Sequence, residues 1–219
     1  VLYIVPAKTA TGPHIALLNM ALGVSNNLKN KIHIIAPASF QKNYKTYYEK
    51  LKNRAIFHII SREKQKVTYW VLLIIETINL ILRRRINIIH TASLKLILLL
   101  GILSKLFSIK LVLSLEGNPI YEMFEFCFFN RVIIMLNCIV GMRLVDLVLP
   151  CSKWLECEMS RQSFLRNKLS FLHNPIDFER FRDAKPKGIK KELGIPDSAP
   201  MILTVGRLHP VKDIETFLK

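Results

Sequence analysis

Acidic residues are scarce in this chain. Sixteen Asp and Glu stand against 32 Lys and Arg, a formal net charge of +16 over 219 residues. Such a surface attracts polyanions, whether phosphates, nucleic acid or anionic lipid headgroups, although a merely solvated basic surface is equally compatible with the charge alone. Cysteine is also sparse. Cys127, Cys138, Cys151 and Cys157 form no CxxC pair and have no histidine at metal-ligand spacing, which argues against a disulfide scaffold or zinc site and for buried thiols in a reducing compartment. His33, His58 and His90 share no metal spacing either. The chain lacks a GxGxxG fingerprint, a repeat of 20–50 residues and the aromatic–basic interleaving of nucleic-acid stacking surfaces. No apolar run reaches the roughly 20 residues that span a bilayer. The stretch from Val67 to Leu82 is broken by Glu76 and Asn79, and that from Leu94 to Phe107 contains Lys95 and Lys105; buried or interfacial helices are expected for both. The opening VLYIV has neither a basic leader nor a cleavage site. It reads as a core strand, with the expectation that the true start lies upstream.

Hydrophobic residues make up 51% of the chain, too many for a disordered polymer. Short β-rich runs alternate with longer helical ones. Strands are expected at 2–5, 32–36, 56–60, 86–90, 110–115, 144–150 and 169–173. Helices are expected at 14–29, 44–52, 67–82, 93–107 and 121–143, with a short one through Met159 capped by Ser152. The strand runs are continuously apolar rather than alternating, as in strands buried on both faces, and intervening helices imply βαβ units. The predicted fold is therefore a doubly wound α/β domain on a parallel sheet, in which ligands bind at the carboxyl ends of the strands.

After Asn174 the composition changes to a proline-rich, charged stretch. Residues 1–176 are expected to form one Rossmann-like domain, 177–199 a crossover with a short helix near 189–193, and 200–219 the first strand (201–205) and the start of a helix of a second domain that continues beyond the chain. One strand and half a helix cannot bury a core of their own.

Five segments lie where the strand-end rule places ligand contacts. KTATGPH (8–14) puts Gly12, which permits close backbone approach or positive φ, at a helix N-terminus suited to an anion; an ordinary βα turn reads as well. LEGNP (115–119) places Glu116, Gly117 and Asn118 after a strand, where a carboxylate could bind a sugar hydroxyl or take a proton, or where Gly-Asn-Pro simply builds a turn. PCSKW (150–154) is explained by capping, and HNPID (173–177) by a crossover turn. In VGRLHPVKD (205–213), Arg207 and Lys212 precede a helix and could converge on a diphosphate; two solvated cations fit the spacing equally. Arg83, Arg84 and Arg85 end an apolar helix, and read as a solvated basic helix end or a contact for lipid headgroups.

In this order the segments resemble family 4 of the retaining glycosyltransferases, which have two facing Rossmann-like domains, the GT-B fold. LTVGRLHPVKDIETFL is similar to that family's VGRL-x-x-x-K-G opening of the donor domain. LSFLHNPIDFERF resembles its NG-V-D-x-x-x-F crossover, LVDLVLPCSKWLE its AD-x-v-i-x-x-S segment, INIIHTAS its D-v-v-H-x-h, and IVPAKTATGPHIALLNMALGV its opening glycine loop. The chain departs from the pattern at four points. TATGPH lacks the usual paired glycines, Glu116 stands where the family has the histidine of HG, Asp213 replaces the glycine after the lysine, and the donor domain's two glutamates eight apart do not occur before the chain ends.

The resemblance implies transfer of a sugar, with retention, from a nucleotide-diphosphate donor to a polysaccharide or lipid-linked glycan acceptor. Arg207 and Lys212 would hold the donor diphosphate with no metal or other cofactor. Gly12 would lie near that phosphate, Glu116 would face the reacting sugar, and Thr11, Gly117 and Asn118 would line the acceptor side of the cleft. A cytoplasmic enzyme, peripheral at the inner face of the cell membrane, is expected, with no nucleic-acid partner. Two alternatives are a non-catalytic basic α/β module that binds anionic membrane or nucleic acid, and a degenerate transferase in which Glu116 marks lost or altered chemistry.

Overall fold

The computed structural model describes residues 1–27, 32–61, 66–84, 86–119, 128–182, 188–206, 208 and 212–218. They form two compact units, Val1–Ile176 and Asp177–Lys219.

The first unit is built on six parallel strands: β1 (Leu2–Ile4), β2 (Ile32–Pro37), β3 (Ala55–Ile60), β4 (Ile88–Thr91), β5 (Lys110–Leu115) and β6 (Leu147–Pro150), in the order β3-β2-β1-β4-β5-β6. Adjacent registers include Tyr3 opposite both Ile34 and His90, and Val112 opposite Leu147. The order reverses between β1 and β4. Crossovers from β1 outward through β3 and from β3 onward through β6 thus run in opposite directions, and right-handed crossovers then place their helices on opposite faces of the sheet. One face carries α1 (Gly12–Asn27), α2 (Phe40–Asn43) and α3 (Lys45–Leu51). Tyr3, Val5, Ile32 and Ile34 pack there against Leu17, Leu18, Phe40 and Leu51. The other face carries α4 (Lys66–Arg84) and α5 (Ile97–Leu106), then α6 (Phe128–Leu136), which leads into a π-helical turn (Asn137–Gly141) and α7 (Met142–Leu144), and finally α8 (Lys153–Ser160). Leu2, Ile4, Ile89 and Leu113 pack there against Leu73, Ile97, Met142 and Leu155. Alternate residues of a strand point to opposite faces, so strands that are apolar on both faces, with few polar residues, are what this double cover requires.

Several expectations change in detail. Residues 121–127 of the helix expected over 121–143 lie outside the described residues, and the remainder is interrupted by the π turn. That turn has a tertiary cause. Asn137 Oδ1 accepts from Leu98 N (2.8 Å) while Asn137 Nδ2 donates to Ile133 O (2.8 Å). A Cβ on Gly141 would stand 2.7 Å from Leu98 N, so only glycine allows the turn to approach the start of α5. The strand expected at 169–173 is reduced to an isolated parallel bridge, Val148 with Leu169, followed by Leu172 N donating to Pro150 O (2.9 Å). The strand over 144–150 begins only at Leu147, because Asp146 turns its carboxylate to Leu111 N (2.9 Å) and to Lys105 and Lys110. Cys127 lies outside the described residues, and the other cysteines are less buried than expected: Cys138 and Cys151 are half-buried and Cys157, on α8, is exposed.

The second unit contains α9 (Phe178–Arg182), α10 (Ile189–Glu192) and α11 (Ile214–Leu218). Residues 201–205, expected as a strand, pair with no strand among the described residues, and Ile202, Leu203 and Val205 are exposed. A ladder needs a neighbour to accept its hydrogen bonds, and none of the described residues supplies one. No helix among the described residues is long and apolar enough to cross a membrane.

Candidate functional site at the carboxyl rim of the sheet

Because all six strands are parallel, the loops after β1, β4, β5 and β6 open on one rim. The β1/β4 reversal is the crevice where open α/β sheets receive ligands. Thr91 ties the two strands together there. Its hydroxyl donates to Ile4 O (3.3 Å) and accepts from Ser93 N (3.2 Å).

The loop after β1 is held by its carbonyls. Lys8 O accepts from Asn43 Nδ2 (2.5 Å) and Ser39 Oγ (3.3 Å), Thr9 O from Tyr44 Oη (2.7 Å), and Pro6 O from Tyr69 Oη (3.1 Å). Thr11 precedes α1 and its carbonyl accepts from Ile15 N (3.0 Å). Its Oγ1 lies 2.6 Å from His14 Nδ1. Gly12 opens α1 without the positive φ that the sequence allowed for; a Cβ there would meet nothing within 4 Å, so the space above it is open. His14 was not singled out by sequence. The Thr-x-x-His spacing, one helical turn, was the signal that could have found it. His14 Nε2 is buried without a hydrogen-bond partner among the described residues, and burial lowers the imidazole pKa to about 4.

Under α1, His90 Nε2 of β4 lies 2.8 Å from Ser114 Oγ of β5, and Ser114 Oγ in turn contacts Met20 Sδ at 3.6 Å. Burial lowers His90 to about 4 and raises Tyr3, whose ring leans on His90 at 5.3 Å, to about 12. This is a neutral packed cluster.

After β5, Glu116, Gly117 and Asn118 are half-buried. The Glu116 carboxylate accepts a hydrogen bond from Asn174 Nδ2, 58 residues away. Desolvation raises the Glu116 pKa and the Asn174 bond opposes that rise. Asn19 of α1 donates to Pro175 O (2.8 Å), so residues 174–175 are fixed to the rim at two points. The crossover motif thus brings its asparagine to the glutamate. Cys151 Sγ contacts Glu116 O at 3.5 Å, and Ser152 caps α8 through Leu155 N (3.2 Å). Thr11 and Gly12 follow β1 while Glu116, Gly117 and Asn118 follow β5. Only β4 separates those two strands, a strand-to-strand span of about 10 Å.

Of the two cations, Arg207 lies outside the described residues. In the second unit the Lys212 stem lies beside Gly206, with Cγ 3.6 Å from where a Cβ would stand. Among the described residues no three His, Cys, Asp or Glu side chains come together as a metal site.

No protein-family model matches the chain, and no curated protein is matched by its sequence. Solved structures do match. HepE of Anabaena, in complex with UDP and glucose, superposes with a TM-score of 0.62 at 14% identity, over 88% of this chain and 49% of its own; its complex with UDP-glucose gives 0.61 at 15%. UGT2 of Phytolacca americana, complexed with UDP-2-fluoro-glucose and pterostilbene, gives 0.54 at 10%, over 84% of this chain and 57% of its own. The first unit has the fold of a GT-B glycosyltransferase domain. The chain spans about half the length of the HepE structures it matches.

Proposed function

We propose that the chain is the acceptor-side half, with the opening of the donor-binding half, of a retaining glycosyltransferase of family 4 type. The enzyme would move a sugar from a nucleotide-diphosphate sugar to a glycan or lipid-linked acceptor. The observation that carries this reading is the doubly wound sheet with its β1/β4 reversal. Its rim holds the Gly12 loop and Glu116, and the sheet superposes on proteins whose crystals hold UDP or UDP-glucose.

In this reading the open space at Gly12 admits the donor's phosphate end, with the free amides of the α1 N-terminus facing it. Arg207 and Lys212 neutralise charge as it builds on the departing diphosphate, which makes a metal unnecessary. Glu116 faces the reacting sugar. Thr11, Gly117 and Asn118 line the acceptor side. The non-catalytic alternative is not favoured by the neighbours of this fold.

The test is calorimetric titration of the purified full-length protein with UDP and with UDP-glucose. Arg207→Ala and Lys212→Ala should each weaken binding by about tenfold or more, the loss of one charge-assisted contact. Unchanged affinity in both variants would remove the VGRLHPVKD loop from the donor site.

A further inference from the structure

The helix α4 has two apolar faces, and its fold uses one. Tyr69, Leu73, Leu80 and Ile81 are buried against the sheet. On the outward side, at 100° a residue, Val67, Val71, Ile75, Ile78 and Leu82 fall within an arc of about 80°, and no other residue of the helix falls in it. Four of them are strongly exposed: Val67 at 77%, Val71 at 48%, Ile75 at 48% and Leu82 at 64%. The stripe carries no charge. The helix's single acidic residue, Glu76, is turned away to His58 (Oε1 to Nδ1, 2.9 Å), which in turn meets His33 (3.1 Å). The last turn ends on exposed Arg83 and Arg84.

We propose that the outward face of α4 docks the protein on an anionic phospholipid surface, lying in the plane of the interface. This assigns a surface to the peripheral membrane attachment expected from the sequence, and it does not depend on the glycosyltransferase reading. A 19-residue helix is about 28 Å long, and the distribution along it is that of an interfacial helix: an uninterrupted apolar stripe to enter the acyl boundary and cations to meet the headgroups. Charge complementarity selects a lipid partner over a second copy of this chain. A net charge of +16 repels a like molecule and attracts an anionic bilayer. The pairing of Glu76 with His58 keeps the one carboxylate of α4 off the face that would meet those headgroups.

The test is co-sedimentation of the purified full-length protein with vesicles of phosphatidylcholine, with and without phosphatidylglycerol. Binding to the anionic vesicles, weakened by salt, is expected. Val71→Gln with Ile75→Gln should reduce it by about tenfold or more. Arg83→Gln with Arg84→Gln should reduce it and flatten its salt dependence. Both pairs are solvent-facing, so far-ultraviolet circular dichroism should be unchanged. Wild-type-like pelleting of the Val71→Gln/Ile75→Gln protein overturns the proposal. So does a wild-type protein that ignores anionic vesicles, including one that sediments as a dimer which the same double substitution dissociates.

Discussion

Asn137 offers a demanding test of the packing between α5 and the π turn. It is buried at 4% exposure and makes two hydrogen bonds. Helix α5 has no side-chain cap at its own N-cap, Leu96, and the Leu98 amide in its first turn donates instead to Asn137 Oδ1, 39 residues away. Asn137→Ala removes that acceptor. An amide donor left unpaired in a partly buried place costs about 1–3 kcal/mol. The space left by the carboxamide adds roughly 1 kcal/mol, and the better helix propensity of alanine returns about 0.5 kcal/mol. A net loss of about 2–3 kcal/mol is expected, readable as a lower urea midpoint at unchanged slope by circular dichroism. Asn137→Leu separates the terms, because it fills the volume and still lacks the acceptor; it should remain about 1–3 kcal/mol below wild type. Wild-type stability in Asn137→Leu would show that packing, and not the bond to Leu98, fixes the π turn.

Three further outcomes are expected. His90 has a folded pKa of about 4 against 6.5 for the ordinary residue, so the unfolded chain binds more protons between those values. Its contribution to stability is complete above about pH 6.5 and is lost as pH falls toward 4, at up to about 1.4 kcal/mol per pH unit. His14 acts in the same sense, and urea midpoints at pH 7 and 5 should draw together in His90→Gln. Asn174→Ala removes the bond that lowers the Glu116 pKa. If Glu116 works ionised, the acid limb of the full-length enzyme's rate–pH profile should move to higher pH, and an unmoved limb separates Asn174 from the chemistry. Asp213 sits at φ 45°, a region that favours glycine. Asp213→Gly should therefore be more stable than Asp213→Ala by about 1 kcal/mol in thermal melts of the full-length protein.

Asp213 also shows how far the sequence could be read. The resemblance puts a glycine at that position, and the backbone keeps the conformation glycine would have. The strands were legible because burial on both faces leaves runs such as IHIIA and KLVLSL with no polar alternation, and the parallel, doubly wound arrangement followed from the helices between them. What escaped notice depends on distant partners. Glu116 and Asn174 meet across 58 residues, Asn137 and Leu98 across 39, and no local pattern announces either pair. Leu169 pairs only through an isolated bridge to Val148, and residues 201–205 pair with no strand among the described residues; an apolar run records burial, not whether a ladder partner exists. At Gly12 the sequence allows close backbone approach or positive φ; the structure has open space above it and no positive φ.

The most direct measurement is nucleotide release by the purified full-length protein from a panel of nucleotide-diphosphate sugars, UDP-glucose among them. Each would be assayed with and without membrane-extracted acceptor, and the anomeric configuration of the product read by NMR. Acceptor-stimulated release from at least one donor, with retention, is expected, and so is its collapse in Lys212→Ala. A folded protein that binds and turns over no nucleotide sugar in the panel would contradict it.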